Sequence, residues 1–222
     1  MALETNHKIS GNLINLLDEK PIEVIVGLGE ARKRYWIHPS PICQASLFFN
    51  IMIRHEEIVK LYDENPNPFY LFVVYSYFEW CECREATYKQ WMKSYWPQPG
   101  PPWTMFISGW ILGHRIQADG FQEEMLRCLC HYMQDKDEPL ISLTPSIISH
   151  VYSNTTSEKP ALRRFILNIM VKYGHEFVDR STTREEWAAI AREHEDLSGD
   201  LILAMREATD YWTFVGRLCE DI

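Results

Sequence analysis

The first regular pattern along the chain is a helical one. Ile9, Leu13, Ile14, Leu16 and Leu17 recur between polar residues over positions 9–19, and Pro21 ends the stripe. The β-branched run Ile22-Glu23-Val24-Ile25-Val26 predicts a strand, residues 27–32 a turn, and Lys33 to Ile37 the returning strand. Pro39 and Pro41 admit a helix from about Pro41, because proline is tolerated in a first turn; its pattern runs through Phe49 to about Ile53. A third short strand is expected over residues 58–62, closed by the Asn- and Pro-rich stretch 63–68. Residues 69–80 are densely apolar and aromatic. They predict a buried helix, with a strand as the alternative because Val73, Val74 and the tyrosines favour β structure.

No period is legible over residues 81–96, and the proline-rich stretch 97–102 breaks any regular element. Residues 103–116 and 121–133 predict a helix pair joined at 118–120, with a charged connector over 135–139. Further helices are expected over 145–152, 160–173, 184–194 and 197–218, the last with a break near Gly199. Strands near the N-terminus followed only by helices indicate an α+β fold. It divides into a domain over residues 1–134, with an irregular insert at 80–102, and a helical C-terminal extension over 140–222.

Composition narrows the function classes. Of 222 residues, 46% are hydrophobic and 24% charged, as in an ordinary globular protein, and 8 Trp, 11 Tyr and 10 Phe supply much of a sizeable core. The formal charge is −9, and from Glu176 onward 12 acids face 5 bases, so the excess sits in the last fifth. An acidic surface without a basic stripe repels phosphate backbones, which argues against a nucleic-acid partner. The polar start carries no secretory pattern, and no window reaches the roughly 18 apolar residues of a membrane span. A cytoplasmic or nuclear location is expected, with the 6 cysteines reduced and the sequon at Asn154 unused.

Candidate chemistry is sparse. Gly27-Leu28-Gly29 follows a strand, but a dinucleotide fingerprint needs a third glycine where Arg32 stands, and a helix where Tyr35-Trp36-Ile37 stands. A hairpin turn accounts for both glycines. Cys128 and Cys130 lie two apart on a helix and diverge by about 200°, so they cannot chelate together. Cys81 and Cys83 have no second pair to match. Neither a cofactor nor a metal is expected. His38, His114, His131 and His150 stand near serines and cysteines without any nucleophile-elbow context, so no catalytic residue is assigned and the chain is not expected to be an enzyme. Arg163-Arg164 reads as a solvated helix face, or one paired with nearby acids such as Glu158, with holding an acidic partner segment as a further alternative.

Several of these pieces resemble a BTB/POZ domain, a module for protein–protein interaction. Residues 22–27 match its first core strand, and Tyr35-Trp36-Ile37-His38 is similar to the aromatic-x-aliphatic-His signature that closes the second. Ser46 and Phe49, within 42–49, resemble the buried pattern of the following helix. Residues 112–116 with Phe121-Gln122 are similar to the closing helix pair, and residues 143–155 and 161–166 resemble the post-BTB helices of fungal BTB proteins. The resemblance covers about residues 20–173 and implies an adaptor or oligomerisation module. It implies structural roles for Tyr35, Ile37, His38, Ser46 and Phe49. The implied partners are protein: a second copy, or an assembly such as a cullin-type ubiquitin ligase.

Two departures bear on self-association. Where dimeric members of the family place an acid before the first strand and a base after the signature histidine, this chain has Pro21 and Pro39. Ile9, Leu13, Ile14 and Leu17 are then the candidate interface, packing on their own domain or on a partner chain. The alternative, from a different class, is a small enzyme or a ligand- or metal-binding protein with a site near residues 81–96.

Overall fold

A computed structural model describes residues 16, 18–80, 102–134, 142–156, 161–177 and 182–207. It is an α+β protein with one small mixed sheet and many helices. The chain divides into two compact units, Met1–Pro99 with Leu112–Gln122, and Gly100–Ile111 with Glu123–Ile222.

In the first unit, strands β1 (Ile22–Val26) and β2 (Lys33–Ile37) form an antiparallel hairpin, and β3 (Ile58–Leu61) returns parallel to β1, giving the order β2-β1-β3. Residues opposite one another point to the same side of a sheet. One face therefore carries Val24, Val26, Ile37, Val59 and Leu61, all buried. The other carries Glu23, Ile25, Arg34, Trp36, Ile58 and Lys60.

Helices α1 (Pro39–Ala45) and α2 (Leu47–Met52) stand where one helix from Pro41 is expected. The helix starts two residues earlier because Pro39 and Pro41 both fall in the first turn, where a missing N–H costs nothing. It splits at Ser46, whose extended backbone (φ −145°, ψ 126°) cannot continue a helix and whose side chain caps the next one. Helix α3 (Pro66–Trp80) resolves the helix-or-strand alternative in favour of helix and begins three residues ahead of Phe69. Asn65 Oδ1 accepts from the Asn67 N–H at 2.9 Å, so the stretch read as a closing turn is the helix start.

Phe49, Phe69, Phe72 and Phe121 form a linked aromatic core in this unit. Phe49 stacks on Phe72 at 5.7 Å, and Phe72 meets Phe121 edge-on at 5.5 Å. Phe121 lies just inside α5 (Asp119–Gln134), which follows α4 (Pro102–Arg115). The join sits at residues 116–118, two residues before its expected place, with Gln117 in the left-handed region at φ 52°. Gly113 allows the turn to close: a Cβ there would lie 2.8 Å from Gln122 and 3.1 Å from Phe121.

In the second unit, α6 (Pro145–Asn154), α7 (Ala161–Phe177), α8 (Arg184–Glu193) and α9 (Glu195–Glu207) pack around Ile148, Val151, Leu162, Phe165, Ile166, Ile169, Ile190 and Leu197. A capping box starts α8: Thr183 Oγ1 accepts from the Glu186 N–H while the Glu186 carboxylate accepts from the Thr183 N–H. The break expected near Gly199 does not occur. The boundary expected at about His194 is present, and α9 starts directly after it and runs through Gly199.

Candidate functional site

The five signature residues sit at the joints of the first unit. Tyr35, at the middle of β2, donates its hydroxyl to the Pro66 carbonyl at 2.9 Å and packs edge-on against Phe69. Burial, with the Tyr70 charge as a smaller cause, pushes its hydroxyl up to about 12. Ile37 is buried on the core face. His38, at the mouth of α1, meets Tyr77 twice: its N–H donates to the hydroxyl at 3.0 Å, and Nδ1 lies 2.7 Å from the same oxygen. Both contacts are satisfied when the hydroxyl donates to Nδ1 and the ring proton stands on Nε2.

Ser46 accepts from the Phe49 N–H at 3.3 Å and donates to the Ile116 carbonyl, tying α2 to the turn after α4. The adjacent Leu47 N–H donates to the Gln117 carbonyl at 3.2 Å. These residues hold strand ends to helix starts. The remaining candidate interface residues, Ile9, Leu13, Ile14 and Leu17, lie outside the described residues; their neighbour Leu16 is buried. Sequence reasoning did not find Glu19, whose carboxylate accepts from the Ser40 N–H at 3.1 Å and from its hydroxyl at 2.7 Å. That places a negative charge at the N-terminus of α1.

The other motifs resolve into structure. Gly27 and Gly29 take φ 82° and 58°, which L side chains rarely adopt, and β2 follows the turn directly. Cys130 is buried and Cys128 and Cys43 are half-buried. Burial raises the Cys43 thiol, and nearby Glu19 adds to the shift. Cys81, Cys83 and the alternative site near residues 81–96 lie outside the described residues. Among the described residues, no group of three or more His, Cys, Asp or Glu is placed to hold a metal ion, and no helix is long and apolar enough to cross a membrane.

Arg163 departs from its expected solvated state. Its side chain is only 5% exposed, while Arg164 beside it is open to solvent. Arg163 donates to Thr155 Oγ1 at 2.8 Å, to the Thr155 carbonyl at 2.6 Å and to the Tyr152 carbonyl at 3.2 Å. It also pairs with Asp196, has Asp200 at 3.6 Å and lies 4.2 Å over the Tyr152 ring. The Tyr152 hydroxyl donates to Asp200 at 3.1 Å; burial first, then the Asp200 charge, raises it far above its usual range. Two acids of the acidic C-terminal stretch therefore close an internal clamp over α6 and α7.

Large apolar side chains exposed in the first unit include Trp36 (68%) and Ile58 (39%) on the outer sheet face and Leu47 and Ile51 on α2; in the second unit Ile202, Leu203 and Met205 of α9 are exposed. A small open cleft of about 130 Å³ lies elsewhere in the first unit, lined by Pro41, Gln44, Tyr75, Ser76, Glu79 and Gly120. The period-2 pattern of β2 and β3 is legible in the sequence; which face turns outward depends on where the helices pack. Comparison with protein-family models, curated proteins and solved structures found no match.

Proposed function

We propose that the chain is a protein–protein interaction module of the BTB/POZ type, acting as an adaptor or self-association unit. The observation that supports this reading is the seating of the signature. The histidine that ends the second strand anchors to α3 through Tyr77, and Ser46 caps α2 and ties it to the turn after α4. Around them the strands run as a hairpin with the third strand parallel to the first. Residues that the resemblance marks as structural thus do structural work, and the exposed aromatic and aliphatic groups are left for contact with other proteins. Function then comes from burial of surface against a partner, and the chain links a target to a larger assembly such as a cullin-type ubiquitin ligase.

The test is light scattering of the full chain over a hundredfold dilution, paired with titration of the full chain into a cullin-type scaffold. A mass above the monomer, or saturable binding to the scaffold, is the expected result. A monomer at every concentration that leaves the scaffold unbound overturns the reading.

A further inference from the structure

We infer that the outer face of the sheet binds an extended acidic segment of a protein partner that carries an apolar side chain. The inference rests on the interaction-module reading and specifies the partner's chemistry. Three groups in β2 and just before it share this face. Arg34 and Trp36 do so by their pairing with Ile25 and Glu23, and Arg32 continues the alternation with an extended backbone (φ −61°, ψ 127°). On the other side of β1, Ile58 and Lys60 complete the face.

The centre of the face is already balanced. Glu23 is nearly buried and accepts from Arg34 at 3.1 Å, which leaves no free negative charge there. Arg32 and Lys60 are exposed and have no ion-pair partner among the described residues. On a chain of net charge −9, cations without an ion-pair partner among the described residues make the strand ladder of this face favour acidic ligands.

Spacing selects an extended ligand. Alternate residues of a strand lie about 6.7 Å apart, so Arg32, Arg34 and Trp36 form a ladder that matches every second side chain of an extended segment. Among the described residues β2 is an edge strand, hydrogen-bonded only to β1. Trp36 and Ile58 flank Glu23 about 10 Å apart, two strand spacings, and an apolar side chain set between them would bury part of both.

The experiment is fluorescence anisotropy on the full chain with a labelled Glu/Leu peptide in which every second residue is in turn Glu, Glu and Leu, so that an extended form presents acids and an apolar side chain on one face. A Lys/Leu peptide and a labelled oligothymidylate serve as the contrasting probes. Saturable binding of the Glu/Leu peptide that weakens with salt is expected, together with about tenfold weakening by each of Arg32→Glu, Lys60→Glu and Trp36→Ala. These side chains are exposed, and unchanged thermal unfolding verifies that the variants fold.

Any of four results overturns the proposal: no binding of the Glu/Leu peptide, equal affinity in the variants, preference for the Lys/Leu peptide or the oligothymidylate, or a lower solution mass of Trp36→Ala, which assigns the face to a second copy. Variants that lose the peptide yet keep self-association or scaffold binding leave both readings standing. If wild-type chain ignores the peptide but still associates with protein, only the sheet-face assignment falls.

Discussion

Arg163 shows what a single buried cation does to its surroundings. Its guanidinium satisfies two backbone carbonyls and the Thr155 hydroxyl while drawing in Asp196. Asp196 is half open to solvent and can rehydrate, but losing the guanidinium leaves the buried acceptors of Tyr152 and Thr155 without their donor. Arg163→Met should therefore destabilise the fold by about 2–4 kcal/mol in chemical denaturation, whereas Arg164→Met, at an exposed position, should cost under about 0.5 kcal/mol. The doublet is legible in the sequence, but its asymmetry is not. Which of two neighbours faces inward depends on where Asp196 comes to lie, 33 positions away.

Tyr35 gives a second residue-scale prediction. An unfolded tyrosine ionises near pH 10, while folded Tyr35 keeps its proton to about 12. Through that window the native state binds more protons than the unfolded state, so stability falls as pH rises from about 10 to about 12. Tyr152 adds to the fall in the same direction. Tyr35→Phe should flatten the decline of denaturation midpoint above pH 10, and an unchanged slope would refute the assignment.

At the scale of elements, the strands are the best-determined parts and the helix ends the least. β1 and β2 occupy the residues their β-branched and alternating patterns mark, because proline at one end and glycines at the other leave the hairpin little choice of register. The helix after them reads as one because its apolar pattern is continuous, and it divides because Ser46 finds better partners than an intrahelical bond: the Phe49 N–H and the Ile116 carbonyl, 70 positions away. Local pattern contains the cap but not the distant acceptor. Ser46→Ala removes both bonds from a site only 2% exposed and should cost about 2 kcal/mol in equilibrium unfolding. A loss below about 0.5 kcal/mol would mean that the split helix does not depend on this side chain. Gly113 follows the same logic: it looks like an ordinary weak point in a helical pattern, yet a Cβ there would collide with Gln122 at the start of α5.

At the scale of the whole molecule, the question is what kind of force brings this chain to another. Pro21 and Pro39 stand where the resemblance would place a charged pair, and both are fixed by local structure. Pro21 leads into β1, and Pro39 is the first residue of α1, with Glu19 already committed to Ser40 beside it. Neither proline carries a charge that could lock two copies together. Self-association through the N-terminal stripe would then be apolar, and apolar association resists salt where charge-paired association is screened within about 10 Å at 0.1 M. Light scattering should accordingly give a solution mass that is unchanged on going from low to high salt, while Leu13→Asp or Leu17→Asp lowers the mass and leaves the thermal unfolding of dilute chain nearly in place. A mass that drops with salt would put the association on charged surface instead. Equal loss of mass and thermal stability in the aspartate variants would make the stripe part of the chain's own core.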